Sequence, residues 1–90
     1  MARAIADPEE LRRFAASLRK FNTQLAGSLQ SLQGQMTGLG STWRDQEFEK
    51  FNTEFDETMR ALLRFQQASE QQIPFLLRKA ERIEEYLRQR

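Results

Sequence analysis

The chain has no cysteine and no histidine among its 90 residues. The first absence excludes disulfides, zinc-thiolate sites and cysteine nucleophiles, and with them the covalent staple that small secreted domains commonly use. The second removes the most frequent general base and metal ligand, so any catalysis would have to rest on carboxylates or lysines alone. No enzyme activity, no cofactor and no metal are therefore expected. Net charge is also lacking: 14 basic residues against 13 acidic ones leave +1, which is not the footprint of a nucleic-acid binder. The opening MARAIADPEE has no apolar run ahead of its charges, so no signal peptide is expected. From Phe21 to Trp43 there is no charged residue at all. That interval is long enough to span a bilayer, but Gln24, Gln30, Gln33, Gln35 and several serines make it too polar to do so.

At 90 residues the chain supports one domain, small enough that a closed core of its own is marginal. Asp7, Pro8, Glu9 and Glu10 read as a helix start: a capping aspartate, a proline at the first helical position, and a glutamate three residues after the cap. Large apolar residues then follow at Leu11, Phe14, Leu18, Phe21, Leu25, Leu29, Leu32, Met36 and Leu39, at steps of three and four with one stutter between Leu25 and Leu29. This stripe predicts helix 1 over about 8–37, ended by Gly38 and Gly40, with a turn over 38–44. Helix 2 is predicted over about 45–88, with Asp45 as its cap and Ser41 or Thr42 as competitors. Its stripe runs Phe48, Phe51, Phe55, Met59, Leu62, Phe65 or Gln66, Ser69, Ile73, Leu76, Ala80, Ile83 and Leu87. No segment sustains an alternation of period two, so no strand is expected. Acids gather at the start of this second half and bases at its end, the polarity that suits one long helix dipole.

Pro74 interrupts that reading, because proline cannot donate to Glu70 and presses on the preceding turn; helix 2 is expected to kink or break near Gln71 to Ile73. Folding the chain about Ser41 sets residue 71 opposite residue 11, so that the apolar residues after Pro74 overhang the hairpin. They would then fold back or dock on another chain. Glu9 with Arg13, Asp56 with Arg60 and Glu84 with Arg88 are spaced for ion pairs on the outer faces. Glu81, Glu84 and Glu85 with Glu54, Asp56 and Glu57 lack the inward-facing Glu-x-x-His pattern of bundle metal sites and read as solvated charge. Gly27, Ser31, Gly34 and Gly38 form a small-residue row on helix 1 where a second helix could approach closely. The stripes are wider than one neighbouring helix can cover. The fold class is thus all-α, a two-helix antiparallel hairpin that dimerises into a four-helix bundle.

The lone Trp43 sits in the turn of GLGSTWRDQEF, just before a capped second helix, and Phe51 follows eight residues later. In this layout the chain resembles the WXG family of small type VII secretion proteins, named for Trp-x-Gly between two helices. The motif here is Trp-Arg-Asp, with Asp45 in the place of the glycine; aspartate caps helices and also tolerates a left-handed backbone. The resemblance implies a homodimer or a heterodimer with a sister hairpin, a turn motif for partner binding at Trp43, Asp45, Phe48 and Phe51, and association with a secretion ATPase or a toxin partner. It also implies secretion by a signal-peptide-independent route, the chain otherwise remaining cytoplasmic. Family members recognised for export carry a tyrosine followed four residues later by an acid. Here Tyr86 is followed by Arg90, which reverses the charge of that C-terminal recognition arm. The other function the residues allow is a cytoplasmic structural coiled-coil adaptor with no export role.

Overall fold

The computed structural model describes residues 6–89, which form two long helices and, among the described residues, no strand. Helix α1 spans Pro8–Gly40 and helix α2 spans Gln46–Arg88. They lie antiparallel in a rod 69 Å long and 17 Å across. Asp7 caps α1, its carboxylate accepting from the Glu9 N–H at 2.9 Å, with Pro8 at the first helical position.

The far end of α1 departs from the sequence expectation. The helix continues through Gly38 and Gly40, because no residue with positive φ is present to reverse the chain there. Instead Ser41 and Thr42 satisfy the last carbonyls. The Ser41 hydroxyl donates to the Gly38 carbonyl at 2.6 Å and the Thr42 hydroxyl to that of Leu39 at 3.2 Å. The connection is thereby shortened to Ser41–Asp45.

The contact line between the helices is a regular heptad on both sides. On α1 the buried positions are Ala15, Asn22, Leu29 and Met36, each seven residues from the last, with Leu11, Leu18 and Leu25 half-buried between them. On α2 they are Met59, Ser69, Ile73, Ala80 and Ile83, with Phe55, Leu62, Gln66 and Leu76 half-buried. Phe14 and Phe21 are therefore not in the seam, where the largest apolar residues were expected. Ala15 and Asn22 take their places, and the stutter at Leu25 to Leu29 disappears. Small side chains let the two backbones approach, and Phe14 and Phe21 are displaced to one flank with 59% and 48% of their surface exposed. The same choice between neighbours falls to Gln66 rather than Phe65 on α2.

Helix α2 is not broken at Pro74; it runs as one helix through the proline. Forty-three residues of α-helix span about 64 Å, which fits the 69 Å rod without a sharp bend. Proline in a helix interior costs about 3 kcal/mol relative to alanine, whereas fully burying a side chain such as Ile73 or Ile83 is worth about 1.5–3 kcal/mol each. With Ala80 completely buried as well, packing on both sides of Pro74 outweighs the local penalty.

The overhang expected beyond Pro74 is also absent. Ser69 meets Asn22, and Glu84 meets Arg12 across the opposite end of the hairpin. A fold centred on Ser41 misplaces the register because Ser41–Asp45 lies across the end of the rod and the first turn of α2 stands level with Gly40. A Cβ at Gly40 would come within 3.0 Å of the Phe48 ring. Ile73, Ala80 and Ile83, which lie between Ser69 and Glu84, are accordingly buried within the hairpin against the N-terminal half of α1, with no fold-back.

Candidate functional site

The turn assembles a compact polar and aromatic unit. Asp45 is in extended conformation, φ −97°, and Oδ1 of its carboxylate accepts from the N–H groups of Glu47 at 3.0 Å and Phe48 at 3.3 Å. This is N-cap geometry, which satisfies two of the donors a helix start leaves open. The same oxygen accepts a third bond from the indole Nε1–H of Trp43 at 2.8 Å. Left-handed backbone, which the sequence had allowed at this position, is not used.

Held by that bond, the half-buried Trp43 ring meets Phe48 edge-on at 5.4 Å between centroids and Phe51 tilted at 5.7 Å. Phe51 stacks in turn on Phe55 at 6.0 Å. Aromatic pairs at such spacings add about 0.5–1.5 kcal/mol beyond the area they bury. The four turn residues singled out from the sequence, Trp43, Asp45, Phe48 and Phe51, are thus brought together at one end of the rod. Tyr86 stands at the other end of α2 with 58% of its surface exposed, and Arg90 lies outside the described residues.

A second feature is the aromatic flank. Phe14, Phe21, Leu32 and Leu39 recur on α1 at intervals that return to one side of a helix, and all are exposed. Phe51 and Phe65 do the same on α2. The edge-to-face contact of Phe21 with Phe65, 6.1 Å between centroids, shows that the two sides adjoin. One long apolar band therefore follows the hairpin and ends at the tryptophan.

The opposite flank is different in kind. Two open cavities of about 500 and 590 Å³ lie along it and share Ala26 and Gln66. Asn22 forms part of the floor, 2% exposed: its Oδ1 accepts from the Ser69 hydroxyl at 3.0 Å, and its Nδ2 has no partner. In the sequence Asn22 is hidden beside the bulkier apolar Phe21, through which the stripe of large apolar residues runs.

At the end remote from the turn, the Arg12 guanidinium holds Glu84 in a two-pronged fork, both bonds 2.6 Å. The hydrogen bonds from Arg12 hold the Glu84 carboxyl below its ordinary range, against the opposing effect of desolvation. The pairing expected for Glu84 was with Arg88, and for Glu9 with Arg13; instead Arg12 takes Glu84 and lies 3.9 Å from Glu9. Only the correct register reveals the fork. Arg60 and Asp56 do pair, at 3.0 Å.

Among the described residues no group of three or more acidic side chains gathers in a metal-holding arrangement, and no helix is long and apolar enough to cross a membrane. A family model described as proteins of 100 residues with WXG, WXG100, matches residues 5–86. A search of curated proteins and a search of solved structures each gave no match.

Proposed function

The chain belongs to the WXG100 family, and from that premise we propose that it acts without catalysis, by pairing with a second hairpin into a four-helix bundle and serving type VII secretion. In this reading it is either an exported substrate or a carrier that brings another substrate to the secretion ATPase, leaving the cell by a route that needs no signal peptide. The second hairpin is another copy or a sister chain. A toxin fits the role of cargo.

One observation carries this reading. The hairpin exposes 7278 Å², whereas a compact monomer of its mass exposes about 5,500 Å². The excess exceeds the roughly 800 Å² that each partner contributes to a standard interface. Its apolar part includes the band of Phe14, Phe21, Leu32, Leu39, Phe51 and Phe65, with Leu63, Phe75, Leu77, Tyr86 and Leu87 exposed elsewhere on α2. Exposed apolar surface of this kind marks an association site, and antiparallel pairing of two such bands buries both.

Trp43, Asp45, Phe48 and Phe51 then form a rigid end surface for a third protein, and Tyr86 with Arg90 a separate contact at the other end. Export and capture are read together in cells that carry a type VII ATPase. Trp43→Ala is expected to reduce both co-purification of partner chains and appearance of the protein outside the cell. Wild-type levels of both would contradict the proposal.

A further inference from the structure

On the side of the aromatic band, α2 carries charge in a pattern that its other side lacks. Seven-residue steps from Phe65 return Phe51 and Lys79 to its side of the helix, and three- or four-residue steps from these add Glu47, Glu54 and Arg82. Towards the turn, this side and the adjoining outer edge hold Glu47, Glu54 and Glu57, with Lys50 the one base among them. Away from the turn they hold Arg78, Lys79 and Arg82, with Glu85 the one acid. The side that faces the cavities is acidic in both halves: Glu49 and Asp56 against Arg60 near the turn, Glu70, Glu81 and Glu84 against Arg88 beyond. A helix dipole favours acids first and bases last, but only within the terminal turns. Glu54, Glu57, Arg78, Lys79 and Arg82 lie inward of those turns, so the dipole does not account for them. None of the five is in an ion pair within the hairpin, whose pairs among the described residues join Arg12 to Glu9 and Glu84, and Arg60 to Asp56.

The pattern has a centre. Glu47 and Arg82 lie equally far from the point between Arg64 and Phe65 on α2. On α1 the exposed Phe14 and Leu39, and likewise Phe21 and Leu32, lie equally far from the point between Ala26 and Gly27. The contact of Asn22 with Ser69 sets these two points at one height, because each lies the same number of residues from it on the turn side. One two-fold axis across the rod at that height therefore relates both helices to a reversed copy. It sets Glu47 level with Arg82 of the copy, Phe14 with Leu39 and Phe21 with Leu32. The Phe51 ring comes level with Lys79, a cation to lie over its face, and Phe65 meets its own counterpart.

We propose that the second hairpin is another copy of this chain, seated band to band in this register, with the axis crossing α1 between Ala26 and Gly27 and α2 between Arg64 and Phe65. Charge complementarity selects the copy. The acidic part of each α2 meets the basic part of the other, and the contact occurs twice, an isologous arrangement that an identical chain satisfies by symmetry. Face-to-face pairing with both turns at one end would lay α2 on α1 of the copy instead, leaving Glu47 and Glu54 opposite its uncharged half. The inference rests on the paired-hairpin reading and decides between the two partners which that reading leaves open.

The chain has no cysteine, so introduced thiols report the register. Glu47→Cys and Arg82→Cys are purified separately, mixed and treated with a short bis-maleimide, with sedimentation equilibrium of the wild type alongside. The mixture is expected to yield at least tenfold more covalent dimer than either variant alone, since two identical thiols would stand at opposite ends of the pair. Charge reversal supplies the second arm: Glu47→Lys with Glu54→Lys in one chain, Lys79→Glu with Arg82→Glu in another. Each alone should dimerise at least tenfold more weakly than the wild type at low salt, where exposed charges are least screened, and the two mixed should regain wild-type affinity. Wild-type affinity in each reversed chain alone would overturn the charge selection. A doubled mass with self-cross-linking of Glu47→Cys, or with no cross-link in the mixture, would overturn the register and leave hairpin pairing in place. A wild type that is monomeric alone and pairs only with a different hairpin from its own cell would overturn the second copy and again leave pairing in place. A wild type that pairs with neither would remove the pairing reading itself, and this inference with it.

Discussion

The indole Nε1–H of Trp43 and the cap of α2 share one atom, Oδ1 of Asp45, at 2.8 Å from the indole nitrogen. The residue that starts the second helix therefore also fixes the orientation of the ring at the end of the rod. In the family motif the corresponding position is glycine, which has no side chain to accept from the helix N–H groups or from the indole. Here the aspartate joins capping to tryptophan orientation through one oxygen, so a substitution at this position bears on both.

Asp45→Ala is expected to lower stability by about 1–2 kcal/mol, the usual loss for a side-chain cap, while Asp45→Gly costs only a few tenths on that count. Asp45→Asn keeps both an acceptor for the helix N–H groups and one for the indole, and should stay near wild type. Urea unfolding followed by the emission of the sole tryptophan measures all three. Equal losses for Ala and Asn would remove the capping role.

Pro74 sits inside a helix that packing keeps continuous. Pro74→Ala restores a donor to the Glu70 carbonyl and should stabilise the hairpin, by up to about 3 kcal/mol. Denaturant midpoints of the two proteins test this. An unchanged or lower midpoint would mean that the helix is interrupted there after all.

The Arg12 and Glu84 fork makes stability depend on acid. Its hydrogen bonds depress the Glu84 carboxyl in the folded state, so the contribution is fully present above the pKa of the unfolded chain and is lost as pH falls through the folded value. Glu84→Gln removes that dependence. Helicity melts at neutral pH and at pH about 3 should show the wild type losing more of its thermal midpoint than the variant does, and the variant less stable at neutral pH. Parallel acid losses would place the effect elsewhere.

Much of this arrangement was legible in the sequence, and the parts that were not have physical causes. Asp7 and Asp45 announced both helix starts, because capping needs a short acceptor at one position. The seam of α2 was read nearly complete, down to Ser69 and Ala80. On α1, choosing bulk at each step drew the stripe through Phe14 and Phe21, whereas close helix approach favours the small or polar residue beside them. At Pro74 the local penalty of about 3 kcal/mol is legible in the sequence, whereas the burial of Ile73, Ala80 and Ile83 that outweighs it depends on the register. The register was hidden because nothing in the composition of Ser41–Asp45 says that it crosses the end of the rod. The fork of Arg12 with Glu84 and the unpaired amide of Asn22 were lost with that register.

In the proposed pairing, the aromatic band is covered by a second hairpin. Sedimentation equilibrium at micromolar concentration tests it most directly, on the wild type and on Phe21→Glu with Phe65→Glu, two exposed positions whose change leaves the seam intact. The wild type is expected at a mass near twice 10.6 kDa, and the variant near 10.6 kDa with its helicity kept. A wild type that sediments as a stable monomer of 10.6 kDa would contradict it.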